Sequence, residues 1–351
     1  MFQVHATARL RPSPFFNSVV AEGCTNASVY NRMILPASFG DKEKEYWDLL
    51  NGVVMWDVGA ERQVQLEGPD AAKLAQILSP RDLSKCKIGQ GKYVPLCNHD
   101  GILINDPILL KLREDLFWFS IADSDIWFWA RAIAAERGLD VTISEPDVSP
   151  LAVQGPKAGA VVSSIFGDWV HDLQRSGWSK QGGFEIYLRD GARGDELWNI
   201  VKEAGAPFDI GNGGPTSPER TESGLVSCGS DSDGTTNPYE VRLGNYIDLD
   251  VPDDVIGIQA LRRIHAEGPK RHQLGLVLDG ETPDPLSFHW EEITVDGQKV
   301  GDMTNCVWSP RMSKNIGYAL ISRSCSVGDT VTLSRSGGRK VQARLVDMPF
   351  L

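Results

Sequence analysis

RSGWSKQGGFEIYL, residues Arg175 to Leu188, is the stretch from which the rest of the chain is read. Three glycines (Gly177, Gly182 and Gly183) surround Trp178 and lead into an alternating run. In a strand that alternation sets Glu185 and Tyr187 on one side and Phe184 and Ile186 on the other. A turn thus hands one carboxylate and one aromatic ring to the same face of a sheet. Glycine lets the backbone pass close to a flat ligand, and a carboxylate accepts paired hydrogen bonds from an amino-pyrimidine edge. The same pattern also suits a plain glycine-rich hairpin on a half-buried sheet.

Outward from that stretch, the chain has 351 residues, 41% of them apolar and 23% charged, which suits a soluble protein of two or three domains with ample core. A formal charge of −12 argues against a nucleic-acid surface and favours a small or cationic partner. No apolar run reaches membrane-spanning length, and the first residues, MFQVHATARLRPSPFF, lack the apolar centre of a secretory signal, so the expected compartment is the cytoplasm. Six cysteines without a C-x-x-C pair and six dispersed histidines suggest neither zinc nor a redox motif, and no metal is expected. There is no Walker loop and no G-x-G-x-x-G; the glycine cluster Ile210 to Pro215 lacks both the motif and a preceding strand.

Along the chain, DKEKEYWDLL reads as a helix with Asp41 as its N-cap, and VVMWDVG and RQVQLEG read as strands. AAKLAQIL follows as a core helix. KYVPLCN, ILINDPILLKL and FWFSIAD have the spacing of an antiparallel meander, and DSDIWFWARAIAAERG that of an amphipathic helix with Trp127 and Trp129 on its inner side. Asp106 interrupts an apolar strand next to Pro107; it either faces solvent at a bulge or is kept for a ligand. SPERTESGLVSCGSD reads as a helix carrying Arg220, which is either ion-paired or holding an anionic ligand tail. From Arg271 onward short strands and turns describe a small all-β domain, with the proline-rich ETPDPLS as a loop inside it.

Four motifs in order, SPLAVQGPKA, the SGW turn with GGFEIY, PERTESGLVSCGSD and VGDMTNCVWSPRMSKNIGYALI, resemble the aminomethyltransferase family, the T-protein of glycine cleavage and its relatives. VYNRMILP, MWDVGAERQVQL, LSPRDLSK, NDPILLKL, SIADSD and EPDVSPLAVQGP resemble its tetrahydrofolate-dependent dimethylsulfoniopropionate demethylases. The resemblance implies an α+β fold: a three-domain ring with mostly antiparallel sheets, helices on them and a C-terminal all-β domain. The domains would be residues 1–53 with 147–250, then 54–146, then 251–351. It implies a tetrahydrofolate cofactor held by Asp106, Glu185 and Arg220, with Asp106 near the reacting N5 and Glu185 on the pterin amino edge. Tyr30, Trp178 and Tyr187 would line the methyl-donor pocket, since a sulfonium offers little to hydrogen-bond and aromatic faces are its natural recognition device. Two departures stand out: between Leu173 and Arg175 an aromatic-rich strand and turn of the relatives is missing, and GPKRHQLG lacks an Arg-Trp pair of the glycine-cleavage enzymes.

The implied chemistry is transfer of a methyl group from dimethylsulfoniopropionate or a similar sulfonium to N5 of tetrahydrofolate. Such a displacement needs alignment rather than a side-chain nucleophile, in keeping with the lack of a Ser-His-Asp or Cys-His signature. A demethylase of a betaine or methylated amine, or a folate-binding protein without turnover, are the alternatives. The expected partner is a small-molecule methyl donor, with neither nucleic acid nor membrane, and a homodimer is left open.

Overall fold

The computed structural model describes residues 7–173, 177–280, 282–283 and 289–351. The chain divides into two compact units, residues 1–63 with 146–219 and residues 64–145 with 220–351. The expected second and third domains fall together in the second of these units, and two segments lie elsewhere than the three-way division puts them. Residues 54–63 go with the first unit because strand Val54–Asp57 pairs with Ser149–Gln154. Residues 220–250 go with the second because Val226, Val241 and Leu243 pack with Leu103 and Leu320.

In the first unit, the two-residue turn between strands Asn26–Tyr30 and Met33–Ser38 puts Asn31 and Arg32 in the left-handed region at φ 51° and 61°, the geometry that matches the twist of a tight hairpin. Helix Lys42–Asn51 starts where Asp41 accepts the Lys44 N–H, with Glu43 and Glu45 in the first turn facing the positive end of the dipole. The central sheet runs in the order Gly183–Leu188, Ser149–Gln154, Val54–Asp57, Gly211–Gly213, the first three antiparallel and the last parallel. Alternation sends Phe184, Ile186, Leu151, Val153 and Met55 to one face, where Val161 and Val162 of helix Ala158–Phe166 and Trp198 and Val201 of helix Gly194–Gly205 complete a core. The opposite face is left to Trp56, Ala152 and Glu185, which lie in one row across three strands. Two glycines of the opening stretch are there for space. A Cβ on Gly177, at φ +147°, or on Gly183 would stand 2.1 or 2.5 Å from the Gln154 amide.

The second unit begins with a five-stranded sheet, ordered Thr142–Ser144, Gln63–Glu67, Leu116–Ser120, Ile108–Arg113, Gly91–Tyr93. Helices Ala71–Leu78 and Ile126–Glu136 cover it through Leu74, Leu78, Ala130 and Ile133, with Trp127 and Trp129 packed against that core. The meander is less simple than its spacing suggests: Leu96–Cys97 and Leu103–Asn105 leave the sheet and pair with each other. The expected helix at SPERTESGLVSCGSD is only Ser217–Glu222. Gly224, left-handed at φ +71°, and the Leu225 N–H to Arg220 O bond close it after two turns. The C-terminal part is a closed barrel of six antiparallel strands, filled by Leu276, Ile293, Ala319, Leu333 and Leu345. Most of the loop ETPDPLS lies outside the described residues.

Candidate functional site

Within the first unit, the row Trp56, Ala152, Glu185 puts a carboxylate at the edge of a sheet face whose centre is apolar. Tyr187, two residues on and therefore on the same face, donates its hydroxyl to Glu185 Oε2 at 2.9 Å. Both side chains are half-buried. Burial raises the Glu185 carboxyl above its ordinary range, and the Tyr187 hydrogen bond works against that rise.

A second acid, Glu61, belongs to this cluster. It sits in the turn that follows Val54–Asp57, its N–H bound to Val58 O at 2.9 Å. Burial, and after it the charge of Glu185, holds its carboxyl well above the usual range. The adjacent Ala60 carbonyl accepts the Asn31 side-chain amide at 3.0 Å, which ties this turn to the tip of the hairpin that carries half-buried Tyr30. On Glu61's own segment Asp57 is buried, bonded by the Ser13 hydroxyl and the Gly59 N–H; burial takes it to about 6.

Trp178 packs on Leu49, Val54, Trp56, Val58 and Ala152, and its indole N–H is spent on Thr216 O at 2.8 Å. Thr216 is in turn held by Glu219 through its N–H and hydroxyl. Glu185 and Tyr187 are therefore brought into direct contact and Trp178 joins the aromatic floor of the same face, while for Tyr30 the structure gives the tie of its neighbour Asn31 to the turn that carries Glu61.

Within the second unit, Asp106 follows strand Leu103–Asn105 and accepts the Tyr93 hydroxyl on Oδ2 at 2.6 Å. Of the two roles read from the sequence, simple exposure at a bulge is not what is found. Burial pushes Asp106 up to about 7, with Tyr93 and its own N–H opposing and the charge of Asp231 adding slightly. Tyr93 is fixed in its turn: its ring meets Tyr246 edge-on at 4.9 Å, Arg81 lies 5.1 Å over the Tyr246 ring, and Arg81 Nη1 donates to Tyr93 O at 2.7 Å. The Cys228 thiol is pushed up to about 12 by burial and by Asp106, so it stays protonated and a poor nucleophile.

Arg220 is 4% exposed. Its Nη1 donates to Asp231 Oδ2 at 2.6 Å and to Leu225 O at 3.1 Å, with the guanidinium over the Tyr318 ring. Asp231 also takes the Ser227 N–H and the Thr304 hydroxyl. The ion pair is the observed state of Arg220, and its charge is answered inside the protein.

Sequence reasoning missed Glu61 and Tyr93. Neither stands in a motif of its own, because GAER and KYVP look like any turn acid and any strand aromatic; their roles arise from neighbours distant in sequence. Among the described residues no group of three or more His, Cys, Asp or Glu is placed to hold a metal, and no helix is long and apolar enough to cross a membrane.

Comparison with known proteins covers nearly the whole chain. The family profile described as the GCVT N-terminal domain matches residues 15–173 and 171–251, and that of the glycine cleavage T-protein C-terminal barrel domain matches residues 271–351. The first match comes in two pieces, which overlap at residues 171–173. Among the described residues the chain there passes from a 3₁₀ turn, Asp168–Asp172, to Gly177, and residues 174–176 lie outside the description. The chain is 40% identical over 341 residues to dimethylsulfoniopropionate demethylase DmdA of Ruegeria pomeroyi, covering 92% of this chain and 93% of that protein. It is 28% identical to an aminomethyltransferase of Shouchella clausii, covering 90% and 91%. The crystal structure of the glycine cleavage system aminomethyltransferase T from Bartonella henselae superposes with a TM-score of 0.85 over 97% of this chain and 98% of that one, at 21% identity.

Proposed function

The chain belongs to the glycine cleavage T-protein family, and on that premise we propose that it is an enzyme moving a methyl group from dimethylsulfoniopropionate to N5 of tetrahydrofolate. The observation that carries this reading is the 40% identity to a dimethylsulfoniopropionate demethylase over more than nine-tenths of both chains. The residues present suit a reduced folate: Glu185 is a half-buried carboxylate on a face floored by Trp56 and Trp178, and a pterin ring offers N–H donors to the lone pairs that the Tyr187 hydroxyl does not take. Tetrahydrofolate, when bound, supplies at N5 an amine able to accept a methyl group.

The chain's own residues then have distinct tasks. Glu185, steadied by Tyr187, holds the pterin amino edge. Asp106, with a value of about 7 and its geometry set by Tyr93, receives the proton that N5 loses. Tyr187, Tyr30 and Trp178 present aromatic surface to the sulfonium, and Arg220 contributes by fixing Asp231, whose charge bears on Asp106. No nucleophilic side chain is required, because the methyl group leaves a sulfur that is already positively charged and departs as a neutral thioether. The six cysteines, all free, suit a reducing compartment and support a cytoplasmic location; a homodimer is the assembly to test by light scattering.

The test is a reaction of the protein with tetrahydrofolate and a panel of methylated sulfonium and ammonium compounds, read by mass spectrometry. Stoichiometric 5-methyltetrahydrofolate and methylthiopropionate from dimethylsulfoniopropionate are expected. Product from a betaine or methylated amine alone would move the reading to that donor class.

A further inference from the structure

Asp106 stands where the chain crosses from one sheet to another. The strand before it, Leu103–Asn105, pairs with Leu96–Cys97, whereas the strand after it, Ile108–Arg113, belongs to the five-stranded sheet. The first of these ladders joins Leu96 with Asn105 and Cys97 with Leu103, with a register shift between them, and so short a ladder fixes a backbone weakly. The Asp106 carboxylate is held by the Tyr93 hydroxyl, so its direction also depends on how firmly the chain on either side is anchored. After it, Pro107 O accepts the Val94 N–H at 2.9 Å. Before it, the anchor is a side chain. Asn105 is fully buried, and its amide reaches the loop between strand Leu116–Ser120 and helix Ile126–Glu136. Its Nδ2 donates to Ala122 O at 3.0 Å and to Ser124 Oγ at 2.7 Å, and its Oδ1 accepts the Ala122 N–H at 3.1 Å. The amide thus pairs with both polar backbone groups of one residue, as a neighbouring peptide does in a strand ladder.

We propose that Asn105 is a positioning residue for methyl transfer, its clasp on Ala122 and Ser124 holding Asp106 where the carboxylate takes the proton from the folate amine. This rests on the demethylase reading, with Asp106 as its base, and adds a residue that acts through Asp106. In the step served, N5 takes the methyl group, the electron pair of the broken C–S bond stays with sulfur, and the N5 proton passes to Asp106. A misplacement of about 1 Å in such an arrangement costs about a hundredfold in rate, although the base still ionises. The clasp therefore bears on rate rather than on binding. It also calls for an amide. Aspartate at this position would keep the acceptor for the Ala122 N–H, lose both donors and set a second carboxylate beside Asp106. An apolar residue would make none of the three bonds and leave Ala122 O and N–H to find other partners.

Single-turnover methyl transfer from dimethylsulfoniopropionate to tetrahydrofolate by the full chain, in a double-mutant cycle of Asn105→Ala with Asp106→Asn, tests this. For Asn105→Ala we expect transfer slowed about ten- to a hundredfold, with the binding constants of both reactants nearly unchanged in calorimetry. In the Asp106→Asn background the same substitution should add little, because the group it positions no longer acts as a base. Asn105→Asp should be slow as well, since it conserves shape but not the donors. Ser124→Ala removes one bond of the three and should give a smaller loss of the same kind. It carries the cycle if melting temperatures show that Asn105→Ala does not fold. Transfer at the wild-type rate by the variant used overturns the positioning role and leaves the demethylase reading intact. So does a loss equally large in the Asp106→Asn background, or a parallel loss of both affinities, which is what a merely structural loop clip would give. Wild-type transfer by Asp106→Asn alone removes the base and the positioning role with it. Failure of the wild type to form 5-methyltetrahydrofolate from dimethylsulfoniopropionate overturns the demethylase reading and the positioning role together.

Discussion

Asp106 is the residue whose environment says most about rate. A base that ionises at about 7 is active only above that value, so single-turnover methyl transfer should fall on the acid side of neutrality. Tyr93→Phe removes a hydrogen bond that favours the charged carboxylate, and the acid limb should move to higher pH. A pH–rate profile of the variant superposing on that of the wild type would take Tyr93 out of this role. Asp106→Asn should slow transfer strongly with folate binding kept, checked by single-turnover rates beside calorimetry. The stability consequence has the opposite sign. A carboxyl raised in the folded state binds protons that the unfolded chain has already lost, so its contribution is present below the unfolded value near 4 and lost as pH rises through about 7. Asp106→Asn should therefore stabilise the fold at pH 8, by on the order of 1 kcal/mol given its partial exposure, seen as a raised melting temperature. Glu185→Ala, which removes the acceptor of a charge-assisted pair, should weaken tetrahydrofolate by about 1.5 to 3 kcal/mol in calorimetry. Unchanged affinity would exclude Glu185 from the folate contact.

Two short elements carry loads that their length hides. The turn holding Trp178 is a wedge: its ring completes a cluster with Trp56, Val58 and Ala152, and its N–H closes on Thr216. Trp178→Ala should cost about 3 to 5 kcal/mol of stability, with Trp178→Phe milder because the packing largely survives. Thermal melts alongside both ligand affinities separate packing from recognition, since a pocket role alone weakens the donor with little change in melting temperature. The helix Ser217–Glu222 has only six residues, and its buried Arg220 is held by Asp231 and Leu225 rather than by the helix itself. Asp231→Asn should cost about 3 to 5 kcal/mol in denaturant unfolding, because it leaves a guanidinium buried without its counter-ion. A loss below about 1 kcal/mol would mean that other groups take over the charge.

At the scale of the molecule, the break in the family profile before Gly177 bears on activity. The family profile breaks there, and the Glu185 strand is the outer strand of its sheet. We expect turnover of dimethylsulfoniopropionate below the ordinary enzyme range of about 1 to 1,000 per second; a steady-state rate inside it would show that the missing segment is dispensable. Much of the architecture was legible in the chain itself. Alternation at FEIY placed Glu185 and Tyr187 on one face, Asp41 announced a helix, and the texture after Arg271 announced the barrel, because periodicity and capping are local physics written in neighbouring residues. Local pattern did not reveal that SPERTESG would stop at two turns, that Leu96–Cys97 would leave the meander, or that Arg220 would spend its charge on Asp231. Nor did it reveal Glu61 beside Glu185 or Tyr93 on Asp106. Sequence alone thus determined the elements, their faces and the family. Which acids are buried and which cation is already paired was decided only by the tertiary structure, because burial and charge depend on groups that the chain brings together from far apart.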